Sequence, residues 1–223
     1  MIGVPAGRGT LSHSTAGTVF NLQEALYRRN IGVQFSCVAS AEVVTARNIL
    51  AQVFLDSPSD VFIGIDDDVA VDIDLALELL SRQLNFVGTY LPQRVLDLNA
   101  FADNVRKGMD NSAAQLAAAP LVGPASDQQG VFESDRIGTG FYILRKPVLH
   151  TIAEKGLAVK QQCTLPGFQM PLYGFFNNII GADGGITSED YSFCDRVRAA
   201  GYSVFAYKGP GISHTGSMTF RSG

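Results

Sequence analysis

The chain has 223 residues, of which 46% are hydrophobic and 17% charged, with Lys+Arg 17 against Asp+Glu 21 and a formal net charge of -4. This composition excludes a disordered chain and a coiled coil, and it offers no basic footprint for a nucleic acid partner. The length fits one domain with its own core, spanning 1–223, better than two.

No apolar run approaches the roughly 18 residues of a membrane span, and the first ten residues lack a basic-then-apolar signal layout. The three cysteines, Cys37, Cys163 and Cys194, are far apart in sequence and form no CxxC pair, which argues against a disulfide framework and against structural zinc. The expectation is a soluble, cytoplasmic protein.

The elements alternate along the chain. Ile2–Pro5 reads as a short strand entering the glycine-rich loop Ala6-Gly7-Arg8-Gly9-Thr10. Val19, Leu22 and Leu26 give residues 15–29 a helical spacing, and 31–37 reads as a strand. A second helix is expected over 42–55, with Val43, Ile49, Leu50, Val53 and Phe54 as its buried positions. Val61-Phe62-Ile63-Gly64-Ile65 is the short apolar run of a strand covered on both faces, and it ends in Asp66-Asp67-Asp68. A helix over 73–83 and a strand over 86–90 follow. This order predicts an α/β fold with a mostly parallel central sheet.

From 97 to 135 the pattern weakens and suggests a mobile excursion or an ordered lid. Residues 140–144 then read as a strand, 147–155 as a short helix, 164–187 as a long loop and 190–200 as a helix closed by Gly201 as its C-terminal cap. A strand over 203–207 and a tail carrying His214 complete the chain.

The chemistry concentrates at Asp66-Asp67-Asp68. Side chains alternate along a strand, so Asp66 and Asp68 share a side if strand geometry persists. They lie just past the carboxyl end of a strand, where open α/β sheets bind ligands. Two carboxylates there suit a hard divalent cation that in turn neutralises a diphosphate. A solvated acidic turn, helped by Asp72 and Asp74 at the next helix, is the alternative.

Several segments together resemble the GT-A-fold glycosyltransferases of the family 2-like group. Ile65-Asp66-Asp67-Asp68 looks like the D-x-D motif. Ala46-Arg47-Asn48 upstream, Gly138-Thr139-Gly140 and Arg145-Lys146-Pro147 around the later strand, Ser188-Glu189-Asp190 before a helix, and Ser213-His214-Thr215-Gly216 follow that layout in order. The resemblance implies a Rossmann-like three-layer α/β/α domain. It implies transfer of a sugar from a nucleotide-sugar donor to an acceptor on a glycan, lipid or protein. A divalent cation would sit on the diphosphate, Mn²⁺ favoured over Mg²⁺ because a nitrogen ligand stands beside carboxylates.

Carried over by position, Asp66, Asp68 and His214 are the metal ligands. Asp66 also serves as a ribose contact, and Asp67 is able to replace either aspartate. Asp190 is the general base, with Glu189 in reserve. Pro5, Ala6, Gly7, Arg8, Arg47, Asp66, Asp67 and Gly140 face the donor, for which uridine is the expected base. Three of these assignments keep local alternatives: Thr187-x-x-Asp190 is also a capping pattern, the glycines of the first loop also serve a tight turn, and Arg47 also reads as a surface helix residue.

The acidic residue that many relatives carry after the second strand is missing from Ser36-Cys37-Val38-Ala39-Ser40. With no tryptophan there is also no Q-x-x-R-W region. Two further readings remain from the sequence: a sugar nucleotidyltransferase, whose first loop Ala6–Thr10 faintly resembles, and a non-catalytic nucleotide-sugar-binding module. Tyr173, Phe175 and Phe176 are read either as sugar-stacking residues or as loop anchors.

Overall fold

The computed structural model describes residues 1–7, 9–119 and 121–216. In chain order the first half comprises β1 (Ile2–Ala6), α1 (His13–Tyr27), β2 (Phe35–Ala39), α2 (Val43–Asp56), β3 (Val61–Ile65), β4 (Val69–Val71), α3 (Ile73–Ser81), β5 (Phe86–Thr89) and β6 (Leu91–Pro92). The excursion adds α4 (Leu98–Arg106), α5 (Asn111–Ala117), β7 (Leu121–Val122) and β8 (Gly130–Glu133). Then come β9 (Phe141–Arg145), α6 (Lys146–Glu154), β10 (Lys160–Gln162), β11 (Pro171–Tyr173), β12 (Ile179–Ile180), β13 (Ile186–Thr187), α7 (Glu189–Ala200), β14 (Phe205–Lys208) and β15 (Ile212–His214).

Seven strands form the central sheet in the order β2-β1-β3-β9-β5-β14-β8. β2, β1 and β3 are mutually parallel, and β14 is parallel to β5. β9 runs antiparallel to both β3 and β5, between which it is inserted. β8 runs antiparallel to β14. The sheet is therefore mixed but mostly parallel, and helices cover both faces. The result is the expected three-layer α/β/α arrangement around a mostly parallel sheet.

Two apolar layers hold it together. On one face Ile2, Val4, Ile63, Ile65 and Ile143 pack under Val19, Leu22 and Leu26 of α1 and Leu75 and Leu79 of α3. On the other face Phe62, Phe86, Tyr142 and Leu144 meet α2, α6 and α7 through Leu50, Phe54, Leu149, Phe193 and Val197. The alternation of β3 produces this split, since Phe62 faces one layer and its neighbours Ile63 and Ile65 the other. Each fully buried Phe or Leu contributes about 1.5–3 kcal/mol relative to exposure. Gly64 is required by this packing, because a Cβ there would overlap the Tyr142 ring.

Several expectations change in detail. The excursion is no simple appendage, since its last strand, β8, forms an edge of the central sheet. The stretch 164–187 holds the short strands β11, β12 and β13 as well as loop. Phe175 and Phe176 are fully buried, and Phe176 stacks on Phe193 with ring centroids 4.3 Å apart, so both are packing anchors. On α2, Val43 is 37% exposed, whereas Arg47 and Asn48 are buried. Gly201 closes α7 with φ 98, the left-handed conformation expected of the cap. The three cysteines are free thiols; Cys37 is exposed and the other two are buried. Among the described residues, no helix is long and apolar enough to cross a membrane.

Candidate functional site

The carboxyl ends of β1 and β3, the segment entering β9 and the first turn of α7 converge on one group of side chains. At its centre is Arg47, one of two charged residues buried among the described residues, at 4% exposure. Its position follows from α2: Arg47 is three residues from Leu50, on a helix whose positions from Ala46 to Gln52 are all buried.

Arg47 binds three carboxylates. Nη2 donates to both oxygens of Asp66, at 3.0 and 3.1 Å. Nη1 donates to Glu189 at 3.0 Å and to Asp190 at 2.6 Å. Its Nε is buried with no hydrogen-bond partner. Three part-buried carboxylates around one guanidinium leave surplus negative charge. Burial opposes the charge on Arg47, but Asp66 and Asp190 outweigh it and raise its pKa above the ordinary arginine value. Burial pushes the Asp66 carboxyl up as well, with Arg47 pulling against it and the neighbouring Asp190 and Asp68 adding to the rise.

Asp190 is fixed a second time by the Thr139 hydroxyl, which donates to the same Oδ1 that Arg47 holds. Thr139 is fully buried between Gly138 and Gly140. The Gly140 carbonyl accepts the backbone N–H of Asp66 at 2.8 Å, and a Cβ on Gly140 would overlap Leu91. Only glycine lets the β9 entry lie this close to β6 and the end of β3. The capping alternative for Asp190 is not realised: Ser188 is the N-terminal cap and makes no side-chain cap bond, while the Asp190 side chain turns to Thr139 and Arg47.

The other two aspartates point elsewhere. Asp67 Oδ2 accepts the N–H of Gly7 at 2.9 Å, and its carbonyl accepts Ser12 N–H at 2.7 Å, tying the first loop to the end of β3. Asp68 Oδ2 pairs with Arg94 at 2.6 Å, and Oδ1 lies 3.1 Å from His214 Nε2. The β4–β15 ladder makes this pair by setting His214 opposite Val69, next in sequence to Asp68, and Thr215 N–H donates to the Asp68 carbonyl.

His214 Nδ1 is 2.9 Å from the Pro92 carbonyl. A carbonyl only accepts, so Nδ1 carries a proton and Nε2 faces the carboxylate. That contact is favourable if Nε2 is also protonated or if a cation bridges the two groups. In the metal-free protein the hydrogen bond that His214 donates to Asp68 comes first in raising the His214 pKa, against burial. For Asp68, burial is outweighed by His214 and Arg94, and the carboxyl lies below its usual range.

An Nδ1–H held by a backbone carbonyl fixes the tautomer that leaves Nε2, here turned to a carboxylate, as the nitrogen able to ligate a cation. Asp68 and His214 therefore fit a small divalent cation that takes its remaining ligands from phosphate or water. Among the described residues, no group of three or more His, Cys, Asp or Glu is arranged to hold a metal. The expected third ligand, Asp66, has both oxygens on Arg47 instead.

The donor-side expectations divide. Pro5 and Ala6 are buried strand residues, and the Ala6 carbonyl already accepts from Gly9 and Ser40 N–H. Gly7 is exposed beside Asp67. Arg8 lies outside the described residues. Arg47 does not face the donor side with free donors, because burying its charge required the carboxylates that now occupy both terminal nitrogens. Two participants escaped the sequence reading. Thr139 had a usable signal in its place between two glycines at the mouth of a strand. Arg94 had none.

No protein-family model matches the chain, and no curated protein matches it. The solved structures that resemble the chain at low similarity include three of different kinds. The A197 protein from STIV is 14% identical over 96% of this chain and 84% of its own, with a TM-score of 0.48. The 4-diphosphocytidyl-2C-methyl-D-erythritol synthase of Anaerococcus prevotii DSM 20548 is 12% identical over 94% and 88%, with a TM-score of 0.43. GalNAc-T7 crystallised with UDP, GalNAc and Mn²⁺ is 10% identical over 87% of this chain and 34% of its own, with a TM-score of 0.40. The chain thus spans about a third of the length of GalNAc-T7.

Proposed function

We propose that the protein is a glycosyltransferase that moves a sugar from a nucleoside diphosphate sugar, UDP-linked in the first instance, to an acceptor hydroxyl with inversion. The observation that supports this reading best is the asymmetry of Asp190. Its protein hydrogen bonds converge on Oδ1, from Arg47 and Thr139, leaving Oδ2 to meet a substrate. A carboxylate held by one oxygen and open at the other suits a general base.

In the step proposed, the acceptor O–H gives its proton to Asp190 Oδ2 as the oxygen bonds to the anomeric carbon. The bond from that carbon to the donor phosphate breaks, and its electron pair leaves with the nucleoside diphosphate. Arg47 and Thr139 keep Asp190 in place, and Glu189 shares the guanidinium. A divalent cation, Mn²⁺ before Mg²⁺, supplies charge neutralisation on the diphosphate when bound. Asp68 and His214 would hold it, while Asp67 keeps the Gly7 loop against the site.

A panel of nucleotide sugars, each with and without Mn²⁺, tests the reading by thermal shift and by product. Glycosyl transfer or slow donor hydrolysis releases a nucleoside diphosphate. Pyrophosphate release from a nucleoside triphosphate and a sugar phosphate would instead identify a nucleotidyltransferase. Donor binding without any turnover, indifferent to Asp190→Asn, would identify a binding module.

A further inference from the structure

The sheet edge at β2 is covered on one face only. Its register with β1 pairs Ile2 with Phe35, Val4 with Cys37 and Ala6 with Ala39, so Phe35, Cys37 and Ala39 share the face that carries Ile2 and Val4. Ile2 and Val4 are fully buried there, yet Phe35 is 40% exposed and Cys37 and Ala39 are exposed. On the opposite face Val38 is fully buried, packed in the same layer as Ile49, Leu50 and Phe54 of α2.

The reason lies in α1. Its Thr15 and Thr18 hydroxyls donate to the Val69 and Val71 carbonyls and hold the helix over β4. Phe20 and Tyr27 fall on the flank of α1 turned away from those threonines and are 69% and 79% exposed.

The backbone of this edge is open too. Among the described residues β2 pairs with β1 alone, so its outward N–H and C=O groups have no ladder partner. Solvent-facing edges are commonly protected by lysine, proline or a bulge. The strand Phe35-Ser36-Cys37-Val38-Ala39 carries no charge and no proline, and its register with β1 is continuous.

We propose that a second copy of this chain pairs here, β2 against β2, antiparallel about a two-fold axis at Cys37. The strand is self-complementary in that register. Phe35 meets Ala39 of the partner subunit, large against small, and the match repeats across the axis. Cys37 faces Cys37 of the partner subunit, Ser36 meets Val38 of the partner subunit, and no like charges oppose one another. The two sheets become one. Because the strands are antiparallel, the two candidate sites open on opposite rims and neither is obstructed. The inference is independent of the proposed activity.

Light scattering on the eluting protein, run at micromolar concentration, tests it. The expected mass is twice the chain mass of 23.9 kDa. Directly opposed cysteines bring their Cβ atoms within about 4.5–5.5 Å, so a short bis-maleimide should capture the dimer through Cys37, Cys163 and Cys194 being buried. Cys37→Ser should lose the cross-link and keep the doubled mass. Phe35→Lys should yield a monomer with an unchanged circular dichroism spectrum; Cys37→Lys serves as the second variant if Phe35→Lys fails to fold. A monomeric mass, no Cys37 cross-link, or a dimer that survives a folded lysine variant would each overturn the proposal.

Discussion

Arg47 Nη1 lies 2.6 Å from Asp190 Oδ1, a bond that joins the interior of α2 to the first turn of α7 across 143 residues of sequence. The same guanidinium holds Asp66 at the end of β3, so three elements meet on one buried cation. Removing one member of a buried ion pair costs more than the pair contributes, because the partners keep their desolvation penalty without compensation. Arg47→Met should therefore destabilise the fold by about 3–5 kcal/mol. Arg47→Lys should be milder, since it keeps the charge but not the forked geometry. Urea unfolding of the three proteins measures both. A loss below about 1 kcal/mol for Arg47→Met would place the cluster among weakly contributing surface pairs.

Replacing Asp190 by Asn keeps an oxygen for Arg47 and Thr139 but removes the proton acceptor. Turnover of the donor identified by the substrate panel should fall about 10²–10⁴-fold, with donor affinity retained. Thr139→Val tests the positioning role separately. It deletes one hydrogen bond to Oδ1 without touching the proton acceptor, so kcat should fall while donor affinity is held, and Thr139→Ser should restore it. Steady-state kinetics with donor titration checks all three variants. Unchanged kcat in Asp190→Asn would remove Asp190 from the chemistry and bring Glu189 forward.

Much of this arrangement was legible in the residues, for physical reasons that differ from place to place. The apolar run Val61–Ile65 flanked by polar residues allows little besides a buried strand, and the three aspartates after it mark its carboxyl end. Strand direction is another matter. Phe141–Arg145 reads as a strand from composition alone, but nothing local says that it runs antiparallel between β3 and β5, because the periodicity of side chains is the same in both directions. The inward turn of Arg47 was half legible. Its spacing from Leu50 puts it on an apolar face, but its partners lie 19, 142 and 143 residues away. Arg94 is the clearest omission, since only the fold brings it to Asp68, and a lone arginine after a two-residue strand has no distinguishing pattern.

The Asp68–His214 pair predicts a pH dependence in metal-free protein. The folded pKa of His214 is raised by Asp68, so this contribution to stability is complete below the unfolded histidine value of about 6.5 and is lost as pH rises through the folded value. The folded pKa of Asp68 is lowered by His214 and Arg94 against the opposing effect of burial, so its contribution is present above the unfolded aspartate value of about 3.9 and is lost as pH falls through the folded value. Urea midpoints measured in chelator across this range should decline toward alkaline pH more steeply in the parent than in His214→Ala. Parallel profiles would show that the pair contributes no pH-linked stability.

The same pair carries the metal prediction. Asp68→Ala and His214→Ala should each weaken Mn²⁺-dependent donor binding by at least an order of magnitude, because each removes one of the two ligands proposed for the cation. Asp66→Ala should act differently, since Asp66 is held by Arg47; its effect should appear as lost stability as well as lost affinity. Calorimetric titration of the donor with and without Mn²⁺ separates the cases. Normal affinity in both Asp68→Ala and His214→Ala would sink the metal assignment.

The last prediction concerns the excursion between β6 and β8. α4 and α5 pack mainly on each other, and Asp97 N–H reaches back to the Ala118 carbonyl. On α4, Leu98 is 66% exposed and Val105 37%, so this pair of helices rests on the domain without being buried in it. β8, by contrast, is locked to β14 through four register pairs. Local stability follows buried contacts, so backbone amides over 98–117 should exchange fast in the free protein and those of Gly130–Glu133 slowly. Arg94, three residues before the α4 cap Asp97, touches Asp68, which gives donor and cation a route to order the helices. Saturation with nucleotide sugar and Mn²⁺ should slow exchange over 98–117 and leave β8 unchanged. Equal exchange in both states would mean that these helices do not close over the site.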